Sequence, residues 1–479
     1  MFSSAHSILI TGGTFVDHPQ IQAPKGGFER LQKAVAPGAF HNSGERFDPP
    51  KCHPNTRVAV IKWIMDWIHR QHPDTRKAFI VWLYGAAGAG KSAIAQTLAE
   101  LCYAEGKLLA SFFFSKNDPL RGTARALVAT LAYQLALRLP QVRELVSSVI
   151  DHDPLIFSRS LEAQLLALIV RPVQHLDESG FFDNLTAPRL IIIDGLDECK
   201  DSRVQCNILD MLIKSIQAEN LPILFLVASR PESDIASFFN SRSTTPSLAR
   251  LALDNNYLAH KDVQLFLEEK FADMKKTHRL KNYIHPSWPT SDIVKTLVQK
   301  SSGQFIYAST VVKFVASPRH RPPDRLEIIL GIRPSSGETP FAELDALYTQ
   351  ILSSVENVGL VLNIIGLLLY YPAYIYFFPT SLYTSTEHLE AFLFLIPGDV
   401  ALNFADLGSL ISLEKNHRDE SLCPRFLHAS LKDFFSDKFR SEQLYLNPAE
   451  MNTRRLQHIE QKFRQISYLS HTGTTLLPL

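Results

Sequence analysis

The sequence predicts an α/β fold: a parallel sheet with helices on both faces, followed by a second half built mainly from helices. Two observations carry this. Between residues 58 and 228, short apolar, β-branched runs alternate with amphipathic helical stretches, the pattern that winds into a parallel sheet covered on both sides. After Phe239 helical periodicity takes over. Composition agrees, because 46% hydrophobic and 20% charged residues suit a folded chain, and 479 residues exceed a single core. A formal net charge of +1 offers no global attraction to nucleic acid or an anionic membrane, and neither is expected as a partner. The five cysteines are scattered without a CxxC pair, so free thiols and a cytoplasmic location are expected. The N-terminus lacks the basic region of a signal peptide.

Residues 1–50 are rich in Gly, Pro, Ser and His and read as an extended arm before the main fold, with brief order around Phe28–Ala36. The spacing of apolar residues predicts a helix over Val58–Ile68. Strands are expected at Phe79–Tyr84, Leu108–Phe114, Arg189–Asp194 and Ile223–Ala228, with helices from Ser92, over Ala124–Leu139 and around Cys206–Ile216. A last strand is expected in LALDNNY from Leu251, and helices over Lys261–Met274, Ile293–Lys300 and Gly303–Val315. SPRHRPPDR, from Ser317, reads as a linker or sharp turn. The uncharged stretch 359–378 is long enough to cross a bilayer, but Asn363, Gly366 and Pro372 interrupt it. A buried helix, a turn and an aromatic-rich segment are expected there instead of a span.

The sharpest motif follows the first strand. Gly85, Ala86, Ala87, Gly88, Ala89, Gly90, Lys91 and Ser92 satisfy GxxxxGK[ST], with Ala93 continuing into the helix. Such a loop turns backbone N–H groups and a helix N-terminus toward phosphate oxygens. Lys91 is expected to reach the β- and γ-phosphates and Ser92 to coordinate Mg²⁺. About a hundred residues later LIIIDGLDEC ends a strand on acids. Asp194 is expected to hold Mg²⁺ through its water shell, and Asp197 or Glu198 to act as base or orient water. Ser229 and Arg230 close the next strand, where a polar group would sense a γ-phosphate. The fold class is therefore a P-loop NTPase parallel sheet. The chain has no NKxD motif, which favours ATP/ADP over guanine nucleotides.

These motifs resemble the NACHT branch of the STAND signal-transduction ATPases, in particular the NACHT proteins abundant in mushroom-forming fungi. Asp194-Gly-Leu-Asp197-Glu198 matches the family's acid pattern, and ASRPE around Ser229 and Arg230 matches its sensor segment. ERFDPPKCHPNTR (Glu45–Arg57) resembles the block introducing the domain; SSGQFIYASTVVKFV and PFAELDALYTQIL resemble its helical domain and the entry to a winged helix. The resemblance implies an N-terminal arm (1–45), a NACHT nucleotide-binding domain (46–245), a helical domain (246–335), a winged-helix domain (336–445) and a C-terminal helical tail (446–479). It also implies a closed ADP-bound state and an ATP-bound state that self-associates, with slow hydrolysis as a timer. His428, in the segment FLHASLKDFF, matches the family histidine that contacts the ADP β-phosphate, whereas Asp433 and Phe434 are expected to pack. The family's repeat array and effector domain are not found in this sequence, and residues 1–45 are expected to dock an unknown signalling protein.

Two other readings compete. One is a small-molecule P-loop kinase, which the adjacent acids Asp197 and Glu198 disfavour; the other is a scaffold that binds nucleotide without turning it over.

Overall fold

The computed structural model describes residues 26–471 except 47–48, 117, 185, 243–244, 254–258, 332–340, 354, 371–384, 406, 417–419 and 427. Five strands, β1 (Ile80–Tyr84), β2 (Leu108–Phe113), β3 (Leu190–Asp194), β4 (Leu224–Ser229) and β5 (Leu248–Ala252), form one sheet in the order β2-β3-β4-β1-β5. Every pairing is parallel. Strands this apolar have to be covered on both faces, and their alternation shows how. Ile80, Trp82, Ile191, Ile193, Phe225 and Val227 point into one core. Val81, Leu83, Leu190, Ile192, Leu226 and Ala228 point into the other.

The second of these faces is covered by α2 (Val58–Ile68) and α3 (Lys91–Ala104), which bury Ile64, Trp67, Ile94 and Leu98 against it. Apolar residues at i, i+4 and i+7 make α2 amphipathic, and the indole N–H of Trp67 donates to the carbonyl of Ala78 at 2.9 Å, pinning α2 to the start of β1. The first face is covered by α1 (Gly27–Ala34), α4 (Leu127–Arg138), α5 (Pro140–His152), α6 (Leu161–Leu165), α7 (Arg171–Asp177), α8 (Ser202–Gln217) and α9 (Ser233–Ser241). Helices α5 to α7 lie in a region where the sequence reading placed no elements. Proline opens α5, as suits a first helical position, and Val142, Val146 and Ile150 give it a buried stripe at four-residue spacing. The order expected around Phe28–Ala36 is α1, which packs on α5, where Gly27 lies against the backbone of Ser147, and Leu31, Ala36 and Ala39 are fully buried. Residues 1–25 lie outside the described part. The last strand begins at Leu248, three residues ahead of the expected one, because its first residue pairs with Ile80 of β1.

The second half starts with α10 (Ala259–Thr277), α11 (Ser291–Ser301), α12 (Phe305–Val315), α13 (Pro322–Gly331), α14 (Ala342–Ser353) and α15 (Val358–Tyr370). The proline pair expected in a linker opens α13, since a missing N–H costs nothing in a first turn. Then come α16 (Thr386–Leu393), α17 (Asp399–Phe404), an antiparallel pair β6 (Ile411–Lys415) and β7 (Leu422–Phe426), α18 (Ala429–Ser436), α19 (Lys438–Ser441) and α20 (Pro448–His471). One core joins them, from Leu267 and Val311 through Tyr348 and Ile364 to Phe434, Phe435 and Met451. Arg440 donates to both oxygens of Asp345 at 3.0 and 2.7 Å and ties α19 to α14. Of the stretch weighed as a membrane span, residues up to Tyr370 form the end of α15, with Ile364 and Ile365 buried; 371–378 lie outside the described residues. Among the described residues no single helix is long and apolar enough to cross a membrane.

Candidate functional site

The carboxyl ends of β1, β3 and β4 meet at one cavity of about 350 Å³, where open α/β sheets place their ligands and within the size range of small-molecule sites. Its floor is the loop between β1 and α3. Gly90, the N-cap of α3, has φ 94° and Gly88 has φ 74°, values that let the loop curl without a Cβ in the way. The first turn of α3 faces the cavity with Lys91 and Ser92. Lys91 Nζ donates to the loop's own carbonyls, Gly85 at 2.8 Å and Ala86 at 2.9 Å. Burial pushes its amine below the usual lysine range, opposed by the charge of Asp197.

Asp194 ends β3 on the same sheet face as α3, since Leu190 and Ile192 before it also point there. Its carboxyl is raised to about 7, chiefly by burial, while a hydrogen bond from Ser92 and the charge of Arg46 pull the other way. Oδ1 of Asp194 has no hydrogen-bond partner. Gly195, at φ 72°, then turns the chain into a 3-10 turn, Leu196–Glu198, which presents the next two acids. Asp197 takes the backbone N–H of Arg230 at 3.0 Å on Oδ1, with the guanidinium Nε 3.3 Å from Oδ2. Glu198 accepts from the backbone N–H of Lys116 at 3.1 Å on Oε2. Burial, then the charge of Asp197, raises its carboxyl above the usual range.

The other walls come from far along the chain. From the segment before α2, Cys52, His53 and Arg57 line one side. Arg57 donates through Nη2 to the carbonyl of Ala89 at 2.8 Å, steadying the loop, while its Nε and Nη1 are buried without a partner. Its backbone N–H meets Asp262 of α10 at 2.9 Å, and His53 Nε2 lies 2.6 Å from Glu269 on the same helix. Phe305 and Ile306, opening α12, form the roof over Gly88. His428 and Ser430, at the start of α18, close the cavity. Burial and the charge of Lys313 lower the His428 imidazole to about 3, so it is neutral at physiological pH, and its Nε2 has no partner.

The structure thus brings Gly88, Gly90, Lys91 and Ser92 together with Asp194, Asp197, Glu198, Arg230 and His428 around one cavity. Ala87 and Ala93 also border it. Gly85, Ala86 and Ala89 belong to the loop but do not line the cavity, and Ser229 lies away from it altogether. That serine is fully buried on the opposite face of the sheet, where its Oγ accepts the indole N–H of Trp82 at 2.8 Å. Asp433, expected to pack, instead holds Nη1 of Arg230 at 2.7 Å. Arg46 was not singled out as a site residue. It lies over the Phe113 ring at 3.8 Å, donates to Gln96 Oε1 at 2.8 Å and exerts its charge on Asp194. Arg46 and Arg57 both belong to the Glu45–Arg57 block, which was the available signal.

A family model described as the N-terminal region of nephrocystin 3 matches residues 61–230. No curated protein matches the chain. Among solved structures, a Walker-type ATPase of Pyrococcus abyssi is 13% identical, covering 80% of this chain and 97% of its own at a TM-score of 0.37. The ORC2 protein of Aeropyrum pernix, solved as ADPNP–ADP complexes, is 11% identical, covering 88% of this chain and 97% of its own at a TM-score of 0.35. PCH-2 of C. elegans is 12% identical, covering 70% and 76% at a TM-score of 0.31. These likenesses are remote. The matched family region contains the loop, the acids and Arg230, and with the parallel sheet and the loop between β1 and α3 it makes this part of the chain a P-loop NTPase fold.

Proposed function

We propose that the protein is a nucleotide-operated signalling switch of the NACHT type, closed around ADP and opened by ATP into a form that self-associates. The observation that carries this reading is the position of His428 and Ser430 in the wall of the phosphate-loop cavity, more than three hundred residues after Lys91. A ligand there touches both halves of the molecule, and a ligand shifts a two-state protein only through contacts that differ between the states.

The residues present fit a nucleotide with Mg²⁺. Ser92 and Asp194 stand in hydrogen-bond contact, and Asp194 keeps one carboxylate oxygen unpartnered. Among the described residues no three His, Cys, Asp or Glu side chains gather into a metal site, so a cation here would take most of its ligands from phosphate and water, as Mg²⁺ does. The bound cation would offset charge on the phosphates. The loop and Lys91 would hold the phosphate chain, and the unpartnered His428 Nε2 suits a contact to it. Of the two acids, Asp197 is committed to Arg230 through both oxygens. Glu198 is therefore the better proton acceptor for water, and its raised carboxyl suits that work. The β6–β7 pair ahead of α18 is read as the wing of a winged-helix domain, and an outside signalling partner as docking on the N-terminal arm, residues 1–45.

Size-exclusion chromatography with light scattering tests the switch: a monomer with ADP and Mg²⁺, and a larger species with a non-hydrolysable ATP analogue, are expected. Identical profiles would count against it. Phosphate release by the wild type alongside Lys91→Ala and Glu198→Gln separates a slow ATPase from a scaffold, since a scaffold releases none in any of the three.

A further inference from the structure

Arg230 is held from two sides by groups that have nothing else in common. Asp197, from the turn after β3, takes its backbone N–H at 3.0 Å and lies 3.3 Å from Nε. Asp433, on α18, takes Nη1 at 2.7 Å across a sequence separation of 203 residues. Arg230 lines the cavity together with Lys91 and Glu198. In a P-loop site the region next to the strand-end acids is where the terminal phosphate of a triphosphate lies.

We propose that Asp433 is an internal stand-in for the terminal phosphate: its carboxylate occupies the Arg230 donor that a γ-phosphate oxygen would take, so that α18 and a triphosphate compete for one guanidinium. The proposal rests on the switch reading above and supplies its contact-level cause. A diphosphate leaves the Arg230–Asp433 pair intact. A triphosphate brings a more highly charged oxyanion with several acceptor oxygens to the same donor, which a guanidinium binds better than a lone carboxylate.

Losing Asp433 loosens more than one ion pair. His428 and Ser430 precede it by five and three residues on the same short segment, and both close the cavity. Lys432, next in line, faces Glu198 and is depressed by burial while that acid's charge opposes the fall. Helix α18 therefore places a cation by the acid and an acid on the cation of the same site. Tyr348 of α14, whose hydroxyl is 3.0 Å from Ser430 Oγ, fixes α18 to the helical core, so the segment moves with that core.

The test uses the full chain with Asp433→Asn, which keeps the shape and removes the charge. Calorimetric affinities for Mg²⁺-ADP and for a non-hydrolysable Mg²⁺-ATP analogue are compared with wild type. The triphosphate affinity is expected to rise on the order of tenfold, a typical coupling between sites, with the ADP affinity changing less than about twofold, and Asp433→Glu should restore the wild-type ratio. Equal shifts for both nucleotides, or none, would overturn the proposal. Hydrogen exchange of the wild-type 429–436 amides gives an independent reading that needs no variant. Loss of protection with the triphosphate analogue but not with ADP is expected, and equal protection would refute the competition. A wild type that binds neither nucleotide would sink the switch reading itself, a different result from a wild type that binds both while Asp433→Asn leaves their ratio unchanged.

Discussion

Ile306, in the first turn of α12, stands where a β-carbon on Gly88 would have to go. The apex of the phosphate loop therefore touches the helical half directly, and the glycine there is required twice: once for its φ of 74° and once for the space that Ile306 fills. Gly88→Ala should strain the loop and push α12 away, costing about 1–3 kcal/mol for the left-handed backbone alone. Ile306→Ala leaves the loop intact and removes only the roof. Stopped-flow release of a fluorescent nucleotide is expected to be faster in both variants, and unchanged release from Ile306→Ala would show that the roof does not retain ligand.

Lys91 donates to the carbonyls of Gly85 and Ala86, so the ammonium is already over the loop. Its removal should weaken nucleotide binding by about tenfold to a hundredfold, the worth of one hydrogen bond to a charged group. Calorimetric titration of Lys91→Ala checks this. Thermal stability without nucleotide should fall little, because the lost bonds are internal to the loop.

The two neighbouring acids should separate by phenotype. Glu198→Gln is expected to lower single-turnover hydrolysis by about a hundredfold to ten-thousandfold with binding retained. Asp197→Asn should instead unseat Arg230, whose guanidinium is held above its usual range by Asp433 and Asp197 against the effect of burial. Its signature would be altered nucleotide affinity. Equal losses of turnover with unchanged affinity in both variants would refute the assignment of roles.

The neutral, half-buried His428, whose Nε2 is fully buried, sets a pH dependence. Its ordinary value of 6.5 falls to about 3 in the folded chain. Between these values the unfolded chain binds a proton that the folded chain excludes, so stability is full above about 6.5 and declines as pH falls toward 3. From pH 7 to pH 5 this one group should cost about 2 kcal/mol. Urea unfolding of His428→Gln should show a correspondingly smaller loss over that interval, and an identical loss in variant and wild type would contradict it.

Much of the sheet and its loop was legible because the signals are local. Strand runs, the glycine spacing and the acids after Ile193 each act within a few residues. Ser229 shows where such reasoning fails. A strand-end residue points to whichever face its parity dictates, and Ala228 already occupies the face of α3, so Ser229 turns toward Trp82 on the other. That parity becomes readable only with the β3–β4 register, which sets Asp194 beside Ala228. Asp433 is harder, since its partner lies 203 residues away and nothing in KDFF distinguishes an acid that packs locally from one that reaches across the molecule. The helices α5 to α7 were missed although start signals are present: Pro140 opens α5, and Ser160 caps α6 by accepting the backbone N–H of Ala163.

The cavity is walled by residues 50–57, the phosphate loop, the acids after β3, Arg230, Phe266 of α10, the start of α12 and the start of α18. Bonds also join the first stretch to α10, from Arg57 to Asp262 and from His53 to Glu269. A nucleotide seated there would touch the segment before α2, the sheet and the helical half at once, so its residence time would depend on how those walls part as well as on how firmly its phosphates are held.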